Sequence, residues 1–275
     1  NNMTIMQQND STKRNRLIIR TSRHSLTFAT QCIDEPETSV VMHPFITKGT
    51  MSIAANLREA FRTMEIFSAT YHKVAVVADT PKIIIPVDLF KENDAPALFS
   101  HSYSTIDNMV VKSNIVPDLN VATVFGLTKD LHTVINDRYP EATLFCASTP
   151  VWRYLFKRSF LGTKGKVYAY FHDQLLEVLN YGQNRFRYNN TFDISNAHDA
   201  LYFILNVWKQ LSMNQQQDEL HLVGDIPEQE WLENELKGYI AKVYTIKPSS
   251  DFNRSPIAQI KSMPYDMMTY LIKGR

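Results

Sequence analysis

The chain opens on a polar arm, residues 1–15, and then turns apolar in two alternating rhythms. Leu17-Ile18-Ile19-Arg20-Thr21 predicts a strand, and Leu26-Thr27-Phe28-Ala29-Thr30, where apolar and polar positions alternate, predicts a second. The short link Ser22-Arg23-His24-Ser25 joins them as a hairpin. A turn at Asp34-Glu35-Pro36-Glu37 leads to a third strand over 40–46. The period then becomes helical. Ile53, Leu57, Phe61, Met64 and Phe67 share one face, with Arg58, Glu59, Arg62 and Glu65 opposite. Gly49-Thr50-Met51-Ser52 supplies the break and an N-cap. Residues 73–79 form a continuous apolar run, as strands buried on both faces do.

The second half repeats this order. Strands are expected at 166–170 and 175–179, linked by Phe171-His172-Asp173-Gln174. Asn180-Tyr181-Gly182-Gln183-Asn184 reads as a turn before a third strand at 185–194. Ser195 or Asn196 caps a helix carrying Leu201, Ile204, Leu205, Trp208 and Leu211 on one face. Leu220-His221-Leu222-Val223-Gly224 is a buried strand, followed by a helix at 228–237, a strand at 241–246 and a closing helix at 264–272. The order β-β-β-α-β thus occurs at 16–79 and again at 166–224, although the identities do not match. A three-strand meander and a crossover helix give a mixed sheet with helices packed on it. Two such units make a two-lobed α/β protein with a cleft between the lobes.

Between the units, Ile83-Ile84-Ile85-Pro86-Val87 reads as a short strand, with Pro86 favouring a sheet edge. A short helix is expected near 95–101, and 108–116 pairs antiparallel with 121–127. Thr128-Lys129-Asp130 opens a helix to about 138. A strand at 142–147 and a helix at 150–160 follow, and Gly162-Thr163-Lys164-Gly165 forms a hinge. The division expected is a first lobe at 16–161 with an inserted subdomain at about 83–127, a second lobe at 166–275, and a flexible arm at 1–15.

Composition narrows the function classes. With 275 residues, 44% hydrophobic and 21% charged, the chain is neither collagen-like, disulfide-scaffolded nor wholly disordered. The net charge is +1, so no global field draws it to nucleic acid or an acidic membrane. Cys32 and Cys146 sit in separate apolar runs and read as buried free thiols. The polar N-terminus has no signal-peptide core, and no stretch approaches the ~18 apolar residues of a membrane span, so a cytoplasmic location is expected. Asn189-Asn190-Thr191 fits a glycosylation sequon, a triplet common by chance.

The layout resembles the actin-like ATPase superfamily, which includes sugar kinases and ATP-driven chaperones. Its finer detail resembles the pilus-assembly M proteins and the cytoplasmic part of the type II secretion L proteins. The stretches that carry this are Ile83-Ile84-Ile85-Pro86, Val121-Ala122-Thr123-Val124-Phe125 with its following helix, and Glu141-Ala142-Thr143-Leu144-Phe145. The chain is also similar to a family of uncharacterised bacterial proteins assigned an actin-like fold. The resemblance implies a duplicated, ribonuclease H-like two-lobed fold. It also implies ATP with magnesium in the interlobe cleft, held by two small-residue hairpin turns, a carboxylate beside each, and a Gly-Gly turn at the adenosine.

Those parts are eroded in this sequence. The first hairpin, Thr21-Ser22-Arg23-His24-Ser25, has neither glycine nor carboxylate. The second offers only Asp173, between bulky neighbours, and the third turn keeps only Gly224, followed by Asp225. Ser22, Arg23, Asp173 and Gly224 are the residues that would touch a nucleotide if one binds. No metal ligand set is expected, and losing metal and charge stabilisation at a phosphoryl group is costly.

No dinucleotide fingerprint, phosphate-binding loop, zinc motif or nucleophile elbow is present. His221 reads as a hydrogen-bonded strand residue. His172 beside Asp173 could orient a base but has no neighbouring nucleophile. The basic run Lys13-Arg14-Asn15-Arg16, with Arg20 and Arg23 beyond, reads as a solvated arm and not as a nucleic-acid surface. Phe186, Tyr188 and Phe192, at alternate positions, read as one core face. The expectation is a noncatalytic protein-interaction module with an unidentified protein partner and a decayed nucleotide cleft. The alternative is a nucleotide-responsive protein.

Overall fold

A computed structural model describes residues 14–104, 108–252 and 255–272. The expected arm lies outside them up to residue 13. The chain continues through β1 (Asn15–Thr21), β2 (Leu26–Cys32), β3 (Val41–His43), α1 (Ile53–Thr63) and β4 (Lys73–Ala78). Next come β5 (Lys82–Pro86), α2 (Ala95–Ser102), β6 (Met109–Val116) and β7 (Val121–Thr128), then α3 (Lys129–Arg138), β8 (Thr143–Cys146) and α4 (Ser148–Ser159). The second half holds β9 (Lys166–His172), β10 (Leu175–Gly182), β11 (Arg185–Asp193), α5 (Ala197–Gln210), β12 (Glu219–Gly224), α6 (Gln229–Lys237) and β13 (Lys242–Thr245). Two short helices close it, α7 (Pro248–Asp251) and α8 (Tyr265–Leu271).

The two large sheets have the same topology. The first has the order β3-β2-β1-β4-β8 and the second β11-β10-β9-β12-β13. In each, the meander pairs antiparallel and the last two strands pair parallel. The internal duplication is therefore a matter of connectivity. A third sheet, β5-β7-β6, belongs to the intervening segment.

Strand periodicity sorts side chains into layers. Leu17 and Ile19 enter the first lobe's outer core with α1 and α3, whereas Ile18 points to the opposite face. Val167, Ala169 and Phe171 pack under α5 and α6, whereas Tyr168 and Tyr170 face the other way. The opposite faces of both sheets, together with α4 and α8, share one core that joins the lobes. Both central strands are thus covered on two sides, which explains their unbroken apolar runs. Ser52, Thr128 and Asn196 cap α1, α3 and α5 by accepting N–H groups three residues on.

Four readings are corrected. The third strand shrinks to Val41–His43. Helix α1 stops at Thr63 because Met64 is extended, yet Phe67 reaches the same core from a 3₁₀ turn. Strand β10 runs on to Gly182, so the hairpin turn is tighter than the five residues suggested. Arg16 and Arg20 are not on a solvated arm; both are buried in β1, while Arg14 is exposed and paired with Asp34.

The aromatic trio also divides. Tyr181 pairs with Phe186 but Asn180 pairs with Tyr188, so Arg187 is an extra residue in a β-bulge. The bulge turns Phe186 onto the interlobe face, against Tyr181 and Trp152, while Tyr188 and Phe192 pack on the α5 side. One extra residue exchanges the faces of everything beyond it.

Candidate functional site at the junction of the lobes

The interlobe core contains a chain of ions. Arg20 shares its face of β1 with Ile18, and Asp79, just past β4, shares the face of Val77. His172 follows Tyr170 on β9, and Glu177 precedes Leu179 on β10. Strand parity therefore delivers four charged groups to the strand ends that face the other lobe. Arg20 holds Asp266 of α8 in two hydrogen bonds of 2.8 Å and donates to Asp79 at 3.0 Å. His172 donates from Nδ1 to Asp79 at 2.9 Å and from Nε2 to Glu177 at 2.5 Å. Glu177 also receives Ser148 Oγ at 2.6 Å and Trp152 Nε1 at 2.9 Å, with Lys82 Nζ at 3.3 Å. All six ionic side chains are buried.

Burial alone would drive each group toward neutrality, and the partners reverse this. Burial works to lower the pKa of His172, but Asp79 and Glu177 outweigh it and bring it up to about 9. Burial works against ionised Glu177, but Lys82, His172 and Ser148 hold it down at about 2. Asp79 is likewise held well below the usual carboxylate range by His172, Arg20 and Lys82, against its burial. Lys82 is raised by Glu177 in spite of burial. Asp266 is shifted up, because burial exceeds the help of Arg20. Cys146, a free and buried thiol beside this cluster, is pushed up to about 12 by burial, which makes it inert.

The four residues singled out from the sequence lie around the hairpin tips. Ser22 Oγ accepts the N–H groups of His24 and Ser25 at 3.3 and 3.1 Å, so these turn donors are spent internally. Arg23 crosses to the second hairpin, donating to the Asp173 carbonyl at 2.8 Å and to its carboxylate at 3.3 Å. Asp173 and Gln174 both have positive φ, 44° and 59°, the conformation of a tight two-residue hairpin. Gly224 has φ +91°, and a Cβ there would lie 2.1 Å from the Phe171 carbonyl oxygen. Only glycine fits this approach. Arg20, Ser22, Asp173 and Gly224 border a cavity of about 290 Å³ whose far wall is 261–266.

A magnesium-bound nucleotide, the group implied by the resemblance, needs unspent cations or N–H groups for phosphate and free carboxylates for the metal's waters. Of the charged side chains lining this cavity, Asp225 and Lys261 have no ion-pair partner among the described residues, but the buried part of the donor set is already spent. Asp79, Glu177 and Asp266 are each engaged by a protein cation, and Arg23 is engaged by Asp173. Among the described residues no group of three or more His, Cys, Asp or Glu side chains could hold a metal ion. No helix among them is long and apolar enough to cross a membrane.

Sequence reasoning misread Arg20 as solvated and passed over Asp79, Lys82, Glu177 and Asp266. For Arg20, Asp79 and Glu177 the available signal was parity: a charged residue two positions from a buried apolar one, near the end of a strand covered on both faces. His221, read as a strand residue, takes Arg158 on Nδ1 at 3.1 Å and Glu219 on Nε2 at 3.0 Å. Burial and Arg158 bring its pKa down to about 4.

Comparison with known proteins agrees with this architecture. A crystal structure from Bacteroides thetaiotaomicron, described as a protein with actin-like ATPase fold and unknown function, is 30% identical. The match covers 95% of this chain and 96% of that one, with a TM-score of 0.81. The PilM-PilN type IV pilus biogenesis complex matches at 9% identity over 93% and 96% of the chains, TM-score 0.49. The cytoplasmic domain of EpsL, an inner membrane component of the Vibrio cholerae type II secretion system, matches at 11% over 78% and 83%, TM-score 0.39. No curated protein sequence matches significantly. A family profile matches residues 6–243. The chain has the two-lobed actin-like ATPase fold and belongs to the family described as Protein of unknown function (DUF3822).

Proposed function

We propose that this protein is a noncatalytic protein-interaction module in which an internal ionic cluster takes the place of a nucleotide. Charge balance carries the reading. Asp79, Glu177 and Asp266 face Arg20, Lys82 and protonated His172, three charges against three. A triphosphate would meet three buried cations already matched by carboxylates, and a metal drawn to Asp79, Glu177 or Asp266 would have to take that carboxylate from a buried partner. Breaking such a pair costs about 3–5 kcal/mol. The proposed units are a first lobe at 16–161, with 83–127 inserted, and a second lobe at 166–275.

Thermal melting with and without millimolar Mg-ATP tests this. A ligand at 100 times its Kd adds about 2.7 kcal/mol, a rise of roughly 5 °C or more in a chain of this size. No rise is expected. A clear rise that Asp173→Ala abolishes overturns the proposal in favour of a nucleotide-responsive protein.

A further inference from the structure

Two open sheet edges border one cavity. In the three-stranded sheet β5 is an outer strand, and in the second lobe's sheet β11 is. The whole of β5 lines a groove of about 1050 Å³ from one side, and part of β11, including Asn189, lines it from the other. Asn120 Nδ2 closes one end by donating to the Asn184 carbonyl at 2.9 Å. Outer strands carry unpaired N–H and C=O groups that accept another strand, and proteins usually guard them with exposed charge. Here the guard is slight: Pro86 removes one N–H at the end of β5, and the Tyr103 hydroxyl donates to the Lys82 carbonyl at 2.8 Å. Lys82 is turned inward onto Glu177, and what remains is Ile83-Ile84-Ile85. Leu89 and Leu98 border the same groove while 68% and 43% exposed. On the opposite wall, Asn189 Nδ2 is buried and without a hydrogen-bond partner among the described residues.

Charge narrows the occupant. Lys82 is cancelled by Glu177, and Asp88 on one wall is offset by Arg185 on the other. The groove presents no net field to a polyanion or an acidic or basic peptide. It offers backbone hydrogen bonds, an apolar wall and an amide wall. We propose that it binds an extended, uncharged segment of a partner protein, added as a strand along β5 with apolar side chains against Leu89 and Leu98. This rests on the interaction-module reading and names the surface and the partner's chemistry.

The test selects peptides of about 12 random residues, displayed on phage, against the intact chain, and uses the synthetic form of the selected sequence as probe. Selected sequences should be uncharged and rich in β-branched residues. Binding should slow amide hydrogen exchange within 82–85 and 185–191. Leu89→Asp should weaken it about tenfold or more, as a charge set against an apolar anchor does. Ile115→Asp, on the half-exposed β6 at the other edge of the same sheet, should leave it unchanged. Selection of no peptide, selection of charged peptides only, protection elsewhere, or indifference to Leu89→Asp overturns the proposal. So does protection of 82–85 that grows with protein concentration alone, which would assign the groove to a second copy. A nucleotide-induced rise in melting temperature would overturn the noncatalytic reading without altering any of these results.

Discussion

His172 Nδ1 lies 2.9 Å from Asp79 Oδ2, and this contact joins the central strand of one lobe to the strand end of the other. With Glu177 on Nε2, both ring nitrogens donate to carboxylates, so the imidazole is held as the cation. Arg20 and Asp266 reach the pair through Asp79, Lys82 and Ser148 through Glu177, and Tyr170 stacks on the ring at 4.6 Å.

Stability should therefore fall as pH rises from neutral. The folded-state pKa of His172 is raised to about 9 from 6.5. The contribution is complete below pH 6.5. Between 6.5 and about 9 only the folded state keeps the proton, so unfolding becomes easier with pH, and above 9 the contribution is gone. The loss amounts to about 3 kcal/mol at most. Urea unfolding at pH 6.5 and 9.5 should show it in the wild type, and His172→Gln should remove most of the difference. A pH-independent wild-type profile across this window would contradict the cluster's charge assignment.

Glu177 is the most heavily used carboxylate, and its replacement should be severe. Glu177→Gln keeps the shape but leaves Lys82 and His172 buried with one counter-ion fewer. Removing one member of a buried ionic pair costs about 3–5 kcal/mol. Adding Lys82→Met should restore a large part of that, because the stranded ammonium goes with it. The four chemical denaturation curves form a double-mutant cycle. Additive losses would mean that Lys82 and Glu177 do not depend on each other.

Much of this architecture is legible from local pattern, because the layers follow from strand parity and helical period. Arg20 shows the limit. Its parity with Ile18 places it on a buried face, yet its partner Asp266 is 246 residues away and nothing near either residue announces the other. Five basic residues near the N-terminus looked like one population, but β1 begins among them and buries two. Phe186 shows a second limit. No glycine or proline marks the bulge at Arg187, so the exchange of faces is set by pairing with β10 and not by the strand's own sequence. The hairpin residues Ser22, Arg23 and Asp173 could be located because turns are local. That Arg23 would spend itself on Asp173 depends on how the lobes meet.

The Arg23–Asp173 contact is conspicuous but should be worth little. Arg23 is 41% exposed and the carboxylate contact is 3.3 Å, so water screens the pair. Exposed ion pairs contribute about 0.2–1 kcal/mol. Arg23→Ala and Asp173→Ala should couple by less than about 1 kcal/mol in a double-mutant cycle measured by urea unfolding, and less again in high salt. Coupling above 2 kcal/mol would show that the hairpin tips, and not the buried cluster, dominate the junction.

Gly224 carries the opposite prediction: a small change with a large cost. It ends β12 at φ +91°, where a side chain is strained, and its Cα faces the Phe171 carbonyl so closely that a Cβ would sit 2.1 Å from the oxygen. That oxygen also accepts the Asp225 N–H at 3.0 Å, so the backbone cannot retreat without losing a bond between β9 and the turn after β12. Strain of this kind costs about 1–3 kcal/mol, and displacing the hydrogen bond adds about 1 kcal/mol more. Gly224→Ala should therefore lower stability by roughly 2–4 kcal/mol, while Gly49→Ala, with open space around it, should change it by less than about 0.5 kcal/mol. Equal effects of the two substitutions in thermal melting would show that the close approach at Gly224 is relieved at no cost.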